Sequence, residues 1–226
     1  MKYLTATVLF LFAMACAAHA DVLSDRTALN SILGSHAVTE DFESFSIDDG
    51  SAVSDTDISS LNSSAIFYGQ GPGLVADGAD YFGEGGIQWN GKDYYGQSSK
   101  DILSYGSNLV IEFWNPTPAF GFDLSIFEEF DDAYPDNATI DVYGADKTSL
   151  LYSLSDFYLS SASPVFWGFS DSNGIGKVVL TGNENGWGII TDNLSFAGST
   201  APEPVSTTLF LLGGATLAVR RLRSKK

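Results

Sequence analysis

Residues Ala119 to Phe130 read AFGFDLSIFEEF. Phe120, Phe122, Leu124 and Ile126 recur at every second position, with Gly121, Asp123 and Ser125 between them. Successive side chains of a strand point to opposite faces, so this spacing predicts a β-strand with one apolar face. Upstream, NLVIEFWN (Asn108 to Asn115) is apolar and aromatic and is expected to stop at Pro116 and Pro118. Downstream, ATIDVYGAD places Ile140 and Val142 two apart, and SLLYSLSDF and VFWGFS read as two further short strands. GKVVLTGN and WGIITDNLSFAG complete the set. Short two-periodic segments cut by Gly, Asn, Asp and Pro point to a mainly β domain, a jelly-roll-like β-sandwich. Helical spacing is confined to SDRTALNSILG, where Leu29, Ile32 and Leu33 could share a face, Asp25 could cap and Gly34 could stop the helix. Residues 46 to 64 are rich in Ser and Asp and read as a solvated loop, with room for a short edge strand.

The chain has 226 residues and a formal net charge of −17. All 28 acidic residues lie between Asp21 and Glu203, beside only five bases (Arg26, Lys92, Lys100, Lys147 and Lys177), so that segment carries about −23. Such a surface repels nucleic acid and attracts cations, so no nucleic-acid partner is expected. The single cysteine, Cys16, lies in the first apolar run. A disulfide framework and a thiolate metal site are thereby excluded for the rest of the chain. With His19 in that same region, His36 is the one histidine of the remainder, too few for a multi-histidine site.

Both ends are apolar. MKYLTATVLFLFAMACAAHADV has one base at Lys2, an apolar core and the small-x-small pattern Ala18-His19-Ala20. This predicts a signal peptide over residues 1–20, cut by signal peptidase before Asp21. At the other end, Val205 to Val219 is an uncharged run, followed by Arg220, Arg221, Arg223, Lys225 and Lys226. The basic tail predicts a short C-terminal transmembrane helix with its bases in the cytoplasm. Ahead of the run, Pro202, Glu203 and Pro204 spell PEP, an extended strap by the restrictions of proline.

This ending, a PEP box, an apolar run with Gly213 and Gly214, and an Arg-rich tail, resembles the PEP-CTERM sorting signal of Gram-negative bacteria. The resemblance implies an exosortase as partner during export and transient anchoring in the inner membrane. It further implies delivery to the cell surface or to an exopolysaccharide biofilm matrix. The domains are then residues 1–20 (signal peptide), 21–198 (β-sandwich ectodomain) and 199–226 (sorting signal). FWGFSDSNGIGKVVLTGNENGWGIITDNLSFAG also resembles the last strands of extracellular PEP-CTERM domains, which look like carbohydrate-binding jelly rolls.

The middle holds candidates for chemistry, each with a plainer reading. Asp171 and Asn173, in DSNG, supply oxygen ligands suited to Ca²⁺, or else form a tight turn. Glu40 and Asp41 near the first strand could meet Asp192 of the last strand around one calcium ion, or all three could cap strand ends. Tyr81, Trp89, Tyr94 and Tyr95 lie among glycines, where rings could stack on sugar faces. Tyr81 and Trp89 could equally seal the sandwich edge. Trp114, Trp167 and Trp187 sit inside strand patterns and read as core. EEFDDAYPDN (Glu128 to Asn137) reads as a solvated hairpin loop or a loose cation site. A polysaccharide hydrolase would need two carboxylates about 5 to 9 Å apart across a cleft. Acidic residues are too abundant here for one such pair to point to it, and no enzyme is expected. The leading expectation is a module binding polysaccharide or another matrix component. The rival is a structural or adhesive protein without a specific small ligand.

Overall fold

The structure is a computed structural model, and it describes residues 20–44, 47–58, 76–94, 97–104, 108–126, 137–159, 163–182 and 188–198. Ten strands and one α-helix are present in that set: β1 (Ala20–Leu23), α1 (Arg26–Leu33), β2 (Ala37–Glu40), β3 (Ala52–Ile58), β4 (Ala79–Asn90), β5 (Asp101–Ser104), β6 (Asn108–Ile126), β7 (Asn137–Gly144), β8 (Leu150–Tyr158), β9 (Val165–Gly182) and β10 (Ile189–Ala197). All the strand pairs with an assigned register are antiparallel. The mainly β, multi-strand class expected from the sequence is what the chain forms.

Two pairs of segments that read as separate strands are continuous. NLVIEFWN and AFGFDLSI join into β6, 19 residues long, and VFWGFS and GKVVLTG join into β9, 18 residues long. Pro116 and Pro118 bend the strand instead of ending it. Pairing between β6 and β9 shifts register from Glu112↔Lys177 to Thr117↔Ile175 and again to Ala119↔Ser170. Prolines are tolerated at such bulges because no ladder hydrogen bond is required there. Gly174 sits in the matching bend of β9 at φ +92°, where a Cβ would stand 2.7 Å from the Pro116 ring.

The bends divide the sheet into two layers that share β6 and β9. In one layer the order is β8-β7-β9-β6-β4, through Tyr143↔Leu150, Lys177↔Tyr143, Glu112↔Lys177 and Asp80↔Glu112. In the other, the second half of β6 lies between β9 and β10, with β1 beyond β9 and both β2 and β5 beyond β10. β4 reaches β5 at its far end, so β6, β4, β5 and β10 form a closed ring of pairings.

The interior of that ring is aromatic. Phe120 lies against Phe113, Phe122 and Trp167 at centroid distances of 5.7, 5.4 and 5.8 Å, and Phe113 meets Phe196 at 5.4 Å. Such offset and tilted pairs add to the area these rings bury. Helix α1 covers the outside of the second layer. Asp25 caps it by accepting from the Ala28 amide at 2.8 Å, and Gly34 ends it. Leu29 and Leu33 are buried with Leu23 and Ala119, whereas Ile32 faces outward. The helix comes so close that a Cβ on Gly121 would lie 2.8 Å from Phe166 and 2.9 Å from Leu29.

One part of the expected fold class is corrected. No helix among the described residues is long and apolar enough to cross a membrane. The 15-residue run Val205 to Val219, even as a helix, would cover about 22 Å, short of a hydrocarbon core about 30 Å thick. The transmembrane helix, and the transient inner-membrane anchoring that depended on it, are therefore withdrawn. Residues 1–19 and 199–226, with Pro202, Glu203, Pro204, Arg220, Arg221 and Arg223, lie outside the described residues. Ala20, placed at the cleavage point, opens β1 and pairs with Asp171.

Candidate functional site

The outer face of the first layer is a polar and aromatic platform, and no described element packs across it. One cross-strand row runs Asp80, Glu112, Lys177, Tyr143, Leu150, and the next runs Phe82, Val110, Val179, Asp141, Ser153. A third row holds Asn108, Thr181 and Thr139. Alternation along each strand puts these side chains outward, while Leu109, Ile111, Phe113, Ile140, Val142, Val178 and Leu180 fill the core. Trp114 lies two residues beyond Glu112 on β6, one step further along the same face, and is 36% exposed. Its indole N–H donates to Asp80 Oδ1 at 2.8 Å, which fixes the ring plane. Lys147 Nζ lies 2.9 Å from Glu112 Oε2, and Lys177 Nζ sits 4.3 Å from the centroid of the Tyr143 ring. The cations thus order their neighbours from within the face. The sequence reading assigned Trp114 to the core. That is corrected: Trp114 alternates with the buried Phe113 and so points to the outer face, in phase with Val110 and Glu112. Trp167 is core as read, and Trp187 lies outside the described residues. Beside the bend of β6, Ile32, His36, Asn115, Pro116 and Gly198 border a cavity of about 400 Å³.

A second polar region is buried, where β2, β10, β5 and β4 meet. β2 and β10 are side by side as expected, with Glu40 opposite Leu194. A bulge in β10 puts Asn193 at φ +51°, a conformation asparagine tolerates, and separates the registers at Asp192↔Asp123 and Ser195↔Gly121. Asp192 accepts from Ser99 Oγ at 2.8 Å and from the Asn193 amide at 2.6 Å. Gln88 donates to Asn90 Oδ1 at 2.6 Å, and Asn90 donates to Asp101 Oδ1 at 2.6 Å. Asn193 Nδ2 donates to Asp123 Oδ2 at 3.1 Å, and Arg26 Nη2 forms an ion pair with the same oxygen at 2.7 Å. Burial pushes the Asp101 carboxyl up to about 7, against the Asn90 hydrogen bond, with Asp192 and Glu43 raising it further. Burial likewise lifts Asp192 to about 6, opposed by the Ser99 and Asn193 hydrogen bonds, with Asp123 and Glu43 raising it further.

Glu40 is raised by the same desolvation. It accepts from the Phe42 amide at 2.7 Å and from the Ala76 amide. Phe42 stands at φ +53°, which is rare for an aromatic residue. Its buried ring meets Tyr81 and Trp89 edge-on at 5.8 and 6.0 Å. Glu40 is thus the clamp that holds this turn against the core. Glu40→Ala would strand two backbone donors, and urea denaturation is expected to register a loss of about 2 to 4 kcal/mol. A loss under about 0.5 kcal/mol would mean the turn holds itself.

These contacts decide the fate of the residues singled out from sequence. Glu40 and Asp192 are brought to neighbouring strands, but their oxygens are occupied by protein donors. Asp41 Oδ1 accepts from the Glu43 amide at 3.2 Å. Asp171 and Asn173 lie apart from them, in the bend of β9, where Asp171 Oδ1 takes the Asn173 amide at 2.7 Å in a turn of the plainer kind. Among the described residues no group of three or more His, Cys, Asp and Glu side chains could hold a metal ion. Tyr81 and Trp89 are completely buried, so the stacking role is corrected: Phe42 covers them and no sugar ring can reach their faces. Tyr94 is half-buried in the turn after β4, and Tyr95 lies outside the described residues, as do residues 127–136 of the acidic loop. Sequence reasoning missed Asp101, Asn90 and Gln88. The signal was the alternation of Gln88 and Asn90 with Ile87 and Trp89.

No protein-family model matches the chain, and no curated protein matches it. The resemblance to PEP-CTERM proteins is therefore corrected, and the exosortase and signal-peptidase partners inferred with it go too. Among solved structures the chain is similar to a family 6 carbohydrate-binding module whose binding sub-sites were dissected (15% identity, covering 64% of this chain and 95% of that one, TM-score 0.33). It is similar to CsCBM6-3 from Clostridium stercorarium in complex with cellobiose (13% identity, 64% and 95% covered, TM-score 0.33). It is also similar to the K2 cleaved adhesin domain of Lys-gingipain (12% identity, 71% and 98% covered, TM-score 0.33). A TM-score of 0.33 is too low to carry function across, and function is in any case argued from sites rather than folds. The comparisons place the chain in no family, and its own residues make it a mainly β, multi-strand domain.

Proposed function

We propose that residues 21–198 form a binding module for a neutral polysaccharide, with the open face of the first layer as its contact surface. The observation that carries this reading is Trp114, an exposed indole fixed in plane by Asp80. A ring already held in place loses little freedom when a sugar stacks on it. Further along the same face, Asp141, Thr139 and Thr181 offer groups for hydroxyls, and Phe82, Val110 and Val179 offer an apolar strip for the C–H faces of a pyranose. The net charge of −17 argues for a neutral chain over a uronate-rich one, because like charge slows and weakens association. The likeness to carbohydrate-binding modules agrees with the reading but does not carry it. In this reading the domain binds and does not cleave.

The test is a glycan array of neutral and acidic polysaccharides with the full chain, followed by titration calorimetry on the hits. Binding to neutral glycans is expected, and Trp114→Ala should weaken it about tenfold or more, one stacking platform being lost. Its melting temperature should move by no more than about 2 °C, since little buried surface is removed. Absence of binding across the array, or full binding by Trp114→Ala, would overturn the proposal and leave the adhesive or structural alternative.

A further inference from the structure

The last described residue, Gly198, stands in the wall of the groove beside the bend of β6, together with Ile32, Leu33, His36, Pro116 and Pro118. The Gly198 amide donates to the His36 carbonyl at 2.9 Å, which fixes the point where the chain leaves the domain. Ile32 is 44% exposed, although it lies on the same short helix as the buried Leu29 and Leu33. With the two proline rings it gives the groove an apolar wall. None of the lining residues is acidic, in a chain with 28 acidic residues, and His36 is the one ionisable side chain among them.

We infer that this groove holds the strap that directly follows it, Ala201-Pro202-Glu203-Pro204 of the same chain, with its proline rings on Ile32, Pro116 and Pro118 and with Glu203 beside His36. Pro204 is six residues past Gly198, a span of up to about 20 Å, so the strap can fold back over a groove whose wall contains Gly198. The prolines of the groove offer no backbone N–H, and those of the strap have none that needs an acceptor. Neither side therefore strands a donor when water leaves. Proline holds the strap extended before it docks, which lowers the cost of ordering it, and the tether keeps its effective concentration high. Glu203 meets less repulsion on a patch without carboxylates than elsewhere on this acidic surface, and the imidazole N–H is a donor in either protonation state. A second copy of the chain or a free ligand has no such tether. This inference does not depend on glycan binding.

The test is methyl nuclear magnetic resonance of the full chain, labelled at Ile and Leu, with a soluble neutral paramagnetic agent. In the wild type the Ile32 methyl is expected to be shielded and to show contacts with ring protons of Pro202 or Pro204. Pro202→Gly combined with Pro204→Gly loosens the strap and should raise the paramagnetic relaxation of that methyl about threefold or more. Leu150, exposed on β8, and Ile140, buried in the core, are references that should not change. Both substitutions lie outside the described domain, and an unchanged amide spectrum for residues 21–198 shows that its fold is intact. An Ile32 methyl as accessible as Leu150 in the wild type, or one unaffected by the proline substitutions, would overturn the inference. Shielding that grows with protein concentration would overturn it too, because the occupant would then belong to a second copy.

Discussion

The folded protein should lose stability as pH rises from about 4 to about 8, and Asp101→Asn should give a large part of it back. Asp101 has an ordinary value of 3.8 and is lifted to about 7 by burial. Below 3.8 it is protonated in both folded and unfolded chains, and folding is indifferent to it. Between 3.8 and 7 the folded state keeps a proton that the unfolded state has released, so each increment of pH favours unfolding. Above 7 the full cost is felt. At about 1.4 kcal/mol per pH unit, Asp101 costs about 4 kcal/mol there, and Asp192, lifted to about 6, costs about 3. The direction is the reverse of a salt-bridged carboxylate, which stabilises on going to neutral pH. Asp101→Asn keeps an oxygen for the Asn90 amide but carries no charge. Urea unfolding at pH 8 should find it more stable than the wild type by about 2 to 4 kcal/mol, and at pH 4 nearly equal. A flat stability profile from pH 4 to 8, or a less stable variant at pH 8, would defeat this account.

The largest loss is expected from Phe120→Ala, at about 3 to 5 kcal/mol. Phe120 is completely buried on the shared strand β6 and touches rings from its own strand and from β9. Removing it opens a cavity that rings on two strands would have to close together, and aromatic side chains locked in staggered wells relax poorly. Chemical denaturation at pH 8, above the titrations of Asp101 and Asp192, gives the cleanest measurement. A cost below about 1.5 kcal/mol would mean that the cluster collapses into the space and that its packing is loose.

The strands were legible because their alternation is local. Phe120, Phe122 and Leu124 read correctly, as did Ile140 with Val142, and so did the cap at Asp25 and the stop at Gly34. The bends in β6 and β9 were not, because proline and glycine mark an interruption without saying whether the chain ends a strand or turns within it. Pro116 and Gly174 oppose each other across the two strands, and that relation exists only in three dimensions. The meeting of Glu40 with Asp192 was anticipated from the order of the strands, but which oxygens remain available depends on amides at Phe42, Ala76 and Asn193. Trp114 and Trp89 show the limit most plainly. Both sit in apolar strand patterns, and what packs against each strand, not the pattern itself, makes one a surface platform and the other a core residue.

The first two strands complete themselves with the last two: β1 with β9, and β2 with β10. During synthesis the ribosome releases residues 20–40 long before their partners at 168–171 and 194–197 exist. Contacts so distant in sequence carry a high loop-closure cost and tend to form slowly. β1 therefore waits, unpaired, until about residue 171 has emerged, and β2 until about residue 197. An acidic chain with strands left unpaired is well served by that delay only if its neighbours stay apart, since the polysome crowds identical nascent chains together. The net negative charge, which does nothing to specify the fold, then acts as the spacer that keeps those unfinished copies from pairing early.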